Sequence, residues 1–343
     1  MTRVGDGTPP PVLALAVRGG IHESAHRGDV AIVGAGGALL GSLGSAERLV
    51  SLRSSVKPFT AVAVLAAAAE AGIAVRDESV ALAAASHAGA DEHLAVARAM
   101  VEEHALDPEL LVHGRPSAPR GGSGELLAHM CSGQHLSLLL LAKAMGVDGR
   151  NYGEYAHPVQ VRLRQVVGEL LGTDLSEAPW GLDGCAIPTS AVPLRAAAEG
   201  ARRWASLEDP AVPARYRAHL ARVRAAVIAH PRLIAGGGYL DTDLIRGGEG
   251  DVVAKQGAEG LCLVGASTAA RGVVGIAVKT EDGDLAARAG RVATCAALAA
   301  AGAPVAASPH LAAHRLVPLA DPRGGAPLAE IRPGEAFAAL TLA

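Results

Sequence analysis

The sequence predicts an α+β domain over residues 10–343, in which both chain ends contribute strands to one mixed sheet and helices pack around it. Residues 11–52 consist of short apolar runs separated by glycines, as strands and turns do. The region at about 58–230 is rich in alanine and has a helical texture, and strand-like runs return beyond Gly236. A chain of 343 residues, half of them apolar, can bury a large core.

Individual helices are predicted from their apolar patterns and end signals. TAVAVLAAAAEAG is expected to be a helix closed by Gly72, and DEHLAVARAMVEEHAL a second helix with acidic residues near its start. HLSLLLLAKAMG is almost entirely apolar, which favours a buried central helix. Further helices are predicted for VRLRQVVGELLG and for 191–230, strands for DVVAKQGAEGLCLVGAS and GVVGIAVKTEDGD, and a flexible insertion for APRGGSGEL near residue 120.

Composition and charge exclude several classes of function. The formal net charge is −3, and aromatic residues make up only 2% of the chain, so neither a basic surface nor stacking platforms for nucleic acid are expected. No apolar run approaches the roughly 20 residues that a membrane span requires. The first residues, MTRVGDGTPPPVLALAV, do not resemble a secretory signal. We therefore expect a cytoplasmic protein with a small-molecule substrate, no nucleic-acid or membrane partner and no organic cofactor.

Lysine is rare in this chain. Of 31 basic residues only four are lysine, which leaves 27 arginines. A lysine can lose its proton and act as a base, whereas an arginine cannot. The four lysines are therefore candidates for a chemical role that arginine does not fill; they are Lys57, Lys143, Lys255 and Lys279.

One lysine follows a serine at helical spacing. In SLRSSVKPF, Ser54 and Lys57 are three residues apart at the predicted start of a helix, so both side chains can lie on one face. A serine hydroxyl needs a neighbouring base to become a nucleophile, and a lysine can be that base. Ser55 is two residues from Lys57 and is expected to point elsewhere. The alternative is that Ser54 or Ser55 only caps the helix.

A second lysine lies in a strand-like segment, Ala254-Lys255-Gln256-Gly257. Serine β-lactamases and penicillin-binding proteins combine S-x-x-K at a helix start with K-T-G on a strand. Their middle element, S-D-N, has no literal match here, but Ser86 in Ser86-His87-Ala88 lies between the two lysine motifs. Two serines and two lysines in this order favour nucleophilic acyl transfer.

Two of the four cysteines lie in polar surroundings. Cys131 and His135 belong to HMCSGQHLSLL, and Asp183 and Cys185 belong to GLDGCAIPTSAVPL. Cysteines about fifty residues apart can converge on one Zn²⁺, although the spacing is unlike that of a zinc finger. The alternative is that they are small buried apolar residues without a ligand. That alternative is the prediction for the two cysteines in apolar runs, Cys262 and Cys295.

Five of these motifs together resemble one family. The segments RSSVKP, SHAGADEH, HMCSGQH, LDGCAIPTSAVPL and AKQGAEG occur in an order and at intervals similar to those of the L-asparaginase II family, the Rhizobium-type asparaginases. The resemblance extends from Arg18 to beyond Lys279. It implies a fold similar to that of serine β-lactamases and glutaminases, a homodimer, and two Ser–Lys pairs, which fall on Ser54 with Lys57 and on Ser86 with Lys255.

The resemblance also implies a zinc site and a substrate pocket. The zinc of the family, held by two cysteines and a lysine, maps to Cys131, Gln134 and Cys185. The family reads C-S-G-K-H where this chain has Gln134, so we expect zinc to bind weakly unless His135 compensates.

For the substrate, the acidic residue beside the second cysteine maps to Asp183, a candidate holder of the α-amino group. Arg53 and His135 are further candidate substrate-binding residues.

The expected function is hydrolysis of L-asparagine to L-aspartate and ammonia. Ser54 is the expected nucleophile and Lys57 its base, while Ser86 and Lys255 relay a proton or orient Ser54. One alternative is a hydrolase of β-lactams or D-Ala peptides that shares the Ser–Lys arrangement. The other is a catalytically weakened relative that binds an amino acid, an alternative suggested by Gln134.

Overall fold

The computed structural model describes residues 9–114, 125–206, 208–285, 287–319, 321 and 323–343. The insertion predicted near residue 120 lies mostly outside these described residues. The chain divides into two compact units, and the single domain over 10–343 stays a prediction. The sheet unit comprises Met1–Ser55, Val192–Ser206 and Asp243–Ala343, and the helical unit comprises Val56–Ala191 and Leu207–Thr242.

The strands are short and separated by glycine-containing turns, as the sequence predicts. In chain order they are β1 (Val12–Arg18), β2 (Ile21–Val33), β3 (Leu39–Leu43), β4 (Leu49–Ser51), β5 (Trp180–Leu182), β6 (Pro188–Pro193), β7 (Val252–Gln256), β8 (Leu261–Thr268), β9 (Gly272–Thr280), β10 (Val317–Leu319) and β11 (Ala329–Pro333).

The main sheet joins the two ends of the chain, which confirms that prediction. Its strand order is β10-β11-β1-β2-β9-β8-β7, and β3 also pairs with β2. Near the middle Ala16 lies opposite Ile331, and Ala31 lies opposite Ala277. The expectation of a mixed sheet is wrong, because every pair described in this sheet is antiparallel. Several neighbours follow one another along the chain through short turns, and a tight turn can join only antiparallel strands.

The helices occupy most of the remaining chain. In order they are α1 (Lys57–Glu70), α2 (Asp77–Ala83), α3 (Asp91–His104), α4 (Ser132–Ala144), α5 (Pro158–Leu171), α6 (Leu194–Ala205), α7 (Ala214–Ala229), α8 (Pro231–Ile234), α9 (Leu240–Gly247), α10 (Ala289–Ala301) and α11 (Ala312–Arg315).

Helix α6 lies directly on the sheet because two strand residues have no side chain. A Cβ at Gly265 would overlap the carbonyl oxygen of Ala201, and one at Gly275 would overlap that of Ala198. Glycine therefore permits a close approach of helix to strand that any larger residue would prevent. Helix α10 packs against β1 and β11 with the small apolar side chains of a buried cluster: Ala14, Ala16, Ala289, Val292, Val317 and Ile331.

Two helices predicted from sequence form the core of the helical unit. Helix α1 is buried along all but its last two residues and ends just before Gly72, whose positive φ of 69° suits a residue without a Cβ. Helix α4 is buried from Ser132 to Ala142 and packs against α1, which confirms a buried central helix. Burial on all sides fits its lack of a polar face.

Other boundaries differ from the prediction. Residues 191–193 complete β6 before α6 begins, and α9 precedes the strands that were expected directly beyond Gly236. Helices α2 and α10 were not predicted. Helix α2 has only seven residues, and in ATCAALAAA the exposed residue Ala299 is as apolar as the buried ones, so neither run shows an amphipathic period. Among the described residues, no helix has the length and apolar character needed to cross a bilayer. All four cysteines are buried and free, as predicted for Cys262 and Cys295.

Candidate active site

Lys57 is the first residue of α1, and its side chain is only 1% exposed. Its Nζ donates to the carbonyl oxygen of Ala85 at 2.7 Å and lies 3.1 Å from Ser86 Oγ and 3.2 Å from Cys131 Sγ. Three hydrogen-bond acceptors thus surround the lysine nitrogen. The structure brings Lys57 and Ser86 into direct contact, a pair that the sequence resemblance did not assign.

The segment that carries Ser86 is fixed through its backbone. The N–H groups of Ser86 and Ala88 donate to the carbonyl oxygens of Ile234 and Ala235, each at 2.9 Å. These bonds tie the loop after α2 to the chain at the end of α8. Because both neighbours of residue 87 are held in this way, the Ser86 hydroxyl stays beside the lysine.

His87 connects this segment to the start of α4. Its Nδ1 accepts the N–H of Gly89 at 3.1 Å, so the ring proton lies on Nε2, which is 3.0 Å from Ser132 Oγ. The Ser132 hydroxyl in turn donates to Leu127 O at 2.7 Å. Burial holds the pKa of His87 well below its usual value, so the ring is neutral at pH 7. The sequence did not single out this link, because serine and histidine are 45 residues apart.

Cys131 and Cys185 are in contact, as the sequence resemblance predicts. A hydrogen bond from the Cys185 thiol holds the pKa of Cys131 well below the usual thiol value, and the Lys57 charge contributes to the same shift. The same bond, together with burial, raises the pKa of Cys185. Both shifts favour ionisation of Cys131 over Cys185.

Cys185 reaches this position from the tip of a β-hairpin. Strands β5 and β6 pair with Leu182 opposite Pro188, and the turn between them holds Asp183 and Cys185. Ala186 has a positive φ of 65°, which closes the turn at a residue other than glycine. The Asp183 carboxylate accepts the N–H of Gly184 at 2.6 Å, a contact within the turn.

Three histidines and one tyrosine, here called the imidazole cluster, lie beside the cysteines; they are His113, His129, His135 and Tyr152. His113 stacks on His129 with ring centroids 4.2 Å apart and meets His135 edge to face at 4.6 Å. His129 Nδ1 accepts the N–H of Cys131 at 3.1 Å. Burial lowers the pKa of His113 to about 4 and the pKa of His135 well below its usual value, so both rings are neutral at pH 7.

The donor set for a metal is incomplete. Gln134, in the first turn of α4, is 3% exposed. No three His, Cys, Asp or Glu side chains are grouped to hold a metal ion anywhere in the described part of the chain. The contacting thiols of Cys131 and Cys185 are suitable zinc ligands, but the amide of Gln134 is a weak donor. The residues present therefore fit a zinc site only in part.

In the sheet unit, the predicted nucleophile lies on a strained turn. Arg53 has a positive φ of 46°, unusual for a residue with a long side chain, and it directly precedes Ser54. Ser55 is fully buried, and its hydroxyl donates to Leu52 O at 2.6 Å. Ser55 points away as expected, but it does not cap α1, whose N-cap residue Val56 makes no side-chain capping bond. Ser54 is half-buried, and its hydroxyl makes no hydrogen bond to the described residues.

Lys255 lies on β7, and its neighbour Gly257 touches the Ser54 turn. Lys255 is 1% exposed, and its Nζ donates to Gln256 O at 2.8 Å. A Cβ at Gly257 would lie 3.0 Å from Leu52 O and 3.3 Å from Ser55 N. The glycine of the Lys-x-Gly motif therefore lets the end of β7 approach the backbone on both sides of Ser54.

The predicted site residues thus form two groups. The helical unit holds Lys57, Ser86, Cys131, Gln134, His135, Asp183 and Cys185, and the sheet unit holds Arg53, Ser54 and Lys255. Sequence reasoning missed His87, His113 and Tyr152 as part of the network. Histidine is common here, with 13 in the chain, so its occurrence alone gave no signal.

Comparison with known proteins agrees with these motifs. The family model described as L-asparaginase II matches residues 14–333 of the 343. The comparison with curated proteins returned no match.

Proposed function

Because the chain belongs to the L-asparaginase II family, we propose that it hydrolyses L-asparagine to L-aspartate and ammonia with a lysine-activated serine. The family supports an amidohydrolase of the asparaginase type in general. The observation that supports the specific chemistry is the fully buried Lys57, with its Nζ 3.1 Å from the hydroxyl of Ser86.

The proposed reaction has two stages. The Ser54 oxygen attacks the side-chain amide carbon while the amine of Lys57, three residues along the chain, takes the hydroxyl proton. The C–N bond then breaks, nitrogen takes up a proton and leaves as ammonia, and an ester remains on the serine. Water hydrolyses the ester to L-aspartate and regenerates the hydroxyl. Backbone N–H groups would hold the oxyanion in both stages.

Ser86 and Lys255 have supporting roles in this proposal. Ser86 receives a hydrogen bond from Lys57, so it can pass the proton on toward the departing nitrogen. Lys255 is buried on β7, two residues before the glycine that touches the Ser54 turn. It orients that serine or relays its proton. The free hydroxyl of Ser54 and the strained Arg53 before it favour Ser54 over Ser86 as the nucleophile.

Substrate binding is assigned to three residues. Asp183 offers a carboxylate to the α-ammonium group, and Arg53 offers a guanidinium to the α-carboxylate. His135 is proposed as a further contact from α4. Cytoplasmic location, homodimer assembly, absence of an organic cofactor and a β-lactamase-like fold stay predictions.

The direct test is release of ammonia. We expect ammonia from L-asparagine, with L-glutamine and a chromogenic β-lactam measured in parallel on the same preparation. Hydrolysis of the β-lactam alone would support the β-lactamase alternative. Binding of an amino acid without any turnover would support the weakened relative, and either result would contradict the proposed function.

Zinc, if bound, would be held by the thiolates of Cys131 and Cys185. A metal ion there supplies positive charge that holds a polar substrate group or structures the hairpin turn. No step of the proposed reaction passes through it, because the donor set fits only in part.

Restoring the missing family residue is expected to strengthen zinc binding. Gln134→Lys supplies an amine ligand beside two thiols, and we expect at least a tenfold lower dissociation constant, measured by competition with a chelator. The gain should disappear when Cys185→Ser is added. The matched control is Cys262→Ser, which removes a buried cysteine of β8. Adding it to Gln134→Lys should leave the gain in zinc affinity unchanged. Unchanged affinity in Gln134→Lys would mean that another group already completes the site.

A further inference from the structure

Two imidazole nitrogens of the imidazole cluster are buried and unused. Nε2 of His135 and Nε2 of His113 have no hydrogen-bond partner among the described residues. The two side chains are 0% and 9% exposed, and their rings meet edge to face with centroids 4.6 Å apart. Buried polar atoms are nearly always paired, so two unpaired atoms in adjoining rings are candidates for contact with a bound molecule.

Tyr152 decides the tautomer of His135. The tyrosine hydroxyl accepts the N–H of Val112 at 3.3 Å and lies 2.5 Å from His135 Nδ1. His135 Nδ1 is the one acceptor for the tyrosine hydroxyl hydrogen among the described residues, so the hydroxyl donates to Nδ1 and the ring proton of His135 lies on Nε2. The tyrosine is itself fixed, because it is fully buried and its carbonyl accepts Gln160 Nε2 at 2.8 Å. The unused atom of His135 is therefore an N–H donor.

The opposite assignment holds for His113. Its Nδ1 lies 2.6 Å from the carbonyl oxygen of Gly114, which can only accept. The ring proton is consequently on Nδ1, and Nε2 of the neutral ring presents a lone pair. The two rings thus offer one donor and one acceptor, each held by a separate hydrogen bond.

We propose that this donor–acceptor pair binds the carboxamide of the substrate, with Tyr152 as the positioning residue that keeps the His135 donor in place. The carboxamide oxygen can accept the hydrogen bond from His135 Nε2–H, and the carboxamide N–H can donate to His113 Nε2. The identity of the substrate rests on the proposed function.

The same pair disfavours the acid product. A carboxylate has no hydrogen to donate to His113 Nε2, so that acceptor stays unpaired when the acid is bound. Recognition of amide over acid would therefore help L-aspartate to leave. The cluster adjoins the reactive groups, because the backbone N–H of His135 donates to the carbonyl of Cys131, whose sulfur touches Lys57.

The test uses the full chain carrying Ser54→Ala, which is expected to bind L-asparagine without consuming it. Imidazole ¹⁵N resonances, assigned with His135→Gln and His113→Gln, report the tautomer of each ring directly. We expect protonated Nε2 in His135 and bare Nε2 in His113. Saturating L-asparagine should shift both Nε2 signals, whereas L-aspartate should not.

Kinetics on the otherwise unmodified chain complete the test. His113→Leu should raise KM for L-asparagine about tenfold, the loss of one hydrogen bond worth roughly 1.4 kcal/mol, and should lower the inhibition constant for L-aspartate because the unpaired acceptor is gone. Tyr152→Phe should raise KM three- to tenfold and mix the His135 tautomers, with kcat less affected. His104→Leu removes another buried histidine with an unpaired Nε2, on α3, and Tyr216→Phe alters another buried tyrosine, so both serve as matched controls.

The outcomes separate this proposal from the proposed function. If L-asparagine leaves both Nε2 signals unmoved, or if amide and acid move them equally, the carboxamide assignment is overturned even when ammonia release is normal. If the unmodified chain releases no ammonia from L-asparagine, the proposed function is overturned. The imidazole ¹⁵N spectra then still test which nitrogen of His135 and of His113 carries the proton.

Discussion

Replacing Ser54 by alanine is expected to reduce kcat for L-asparagine by about four to six orders of magnitude, the usual cost of losing a nucleophile. The fold should survive, because the Ser54 hydroxyl makes no hydrogen bond to the described residues. Ammonia release and thermal unfolding measured on the same preparation check both statements.

Ser55→Ala is the matched control one residue along the chain. It removes the buried bond from Ser55 Oγ to Leu52 O, and we expect about 1 kcal/mol of stability to be lost with little effect on kcat. Mass spectrometry of enzyme quenched during turnover should locate the aspartyl ester on the peptide containing Ser54. An ester on Ser86 would reverse the two serine roles, and near-normal activity of Ser54→Ala would refute the assignment.

Replacing either buried lysine by arginine should be almost as damaging. Lys57→Arg and Lys255→Arg keep a positive charge, but a guanidinium cannot take a proton from serine. We expect kcat to fall by at least a thousandfold in each variant. Because both lysines are 1% exposed, thermal unfolding must show that the larger side chain has not disrupted the fold.

A second pair of variants makes the lysine test independent of packing. Lys57→Ala leaves a space, and small primary amines added to the solution should restore part of the activity in proportion to their basicity if the lysine acts as a base. Lys143→Arg is the control, since Lys143 is exposed and donates only to the carbonyl of His104. Activity retained in both arginine variants would make the two lysines fixed charges rather than proton acceptors.

Local signals in the sequence determined much of the secondary structure. Gly72, after an alanine-rich run, marked the end of α1, and glycine-separated apolar runs marked the strands at both chain ends. Such signals depend on backbone freedom and on side-chain burial within a few residues, so they can be recognised without knowledge of the fold. A sheet built from both chain ends was predicted, but β10 and β11 were not predicted as strands. Helices α2 and α10 were missed because α2 has only seven residues and because the exposed position Ala299 of α10 is as apolar as its buried ones.

The sequence by itself determined which residue types could react: two serines, two of four rare lysines, and two cysteines in polar settings. Only the tertiary structure decided how those in the helical unit combine. It placed Lys57 against Ser86 and Cys131, and it joined Cys185 to Cys131 across 54 positions of the chain. It also placed the Tyr152 hydroxyl beside His135 Nδ1 and stacked His113 on His129. The physical reason is that hydrogen bonds and thiol contacts act over about 3 Å in space, whereas spacing in sequence constrains only neighbours within a turn of helix or a hairpin.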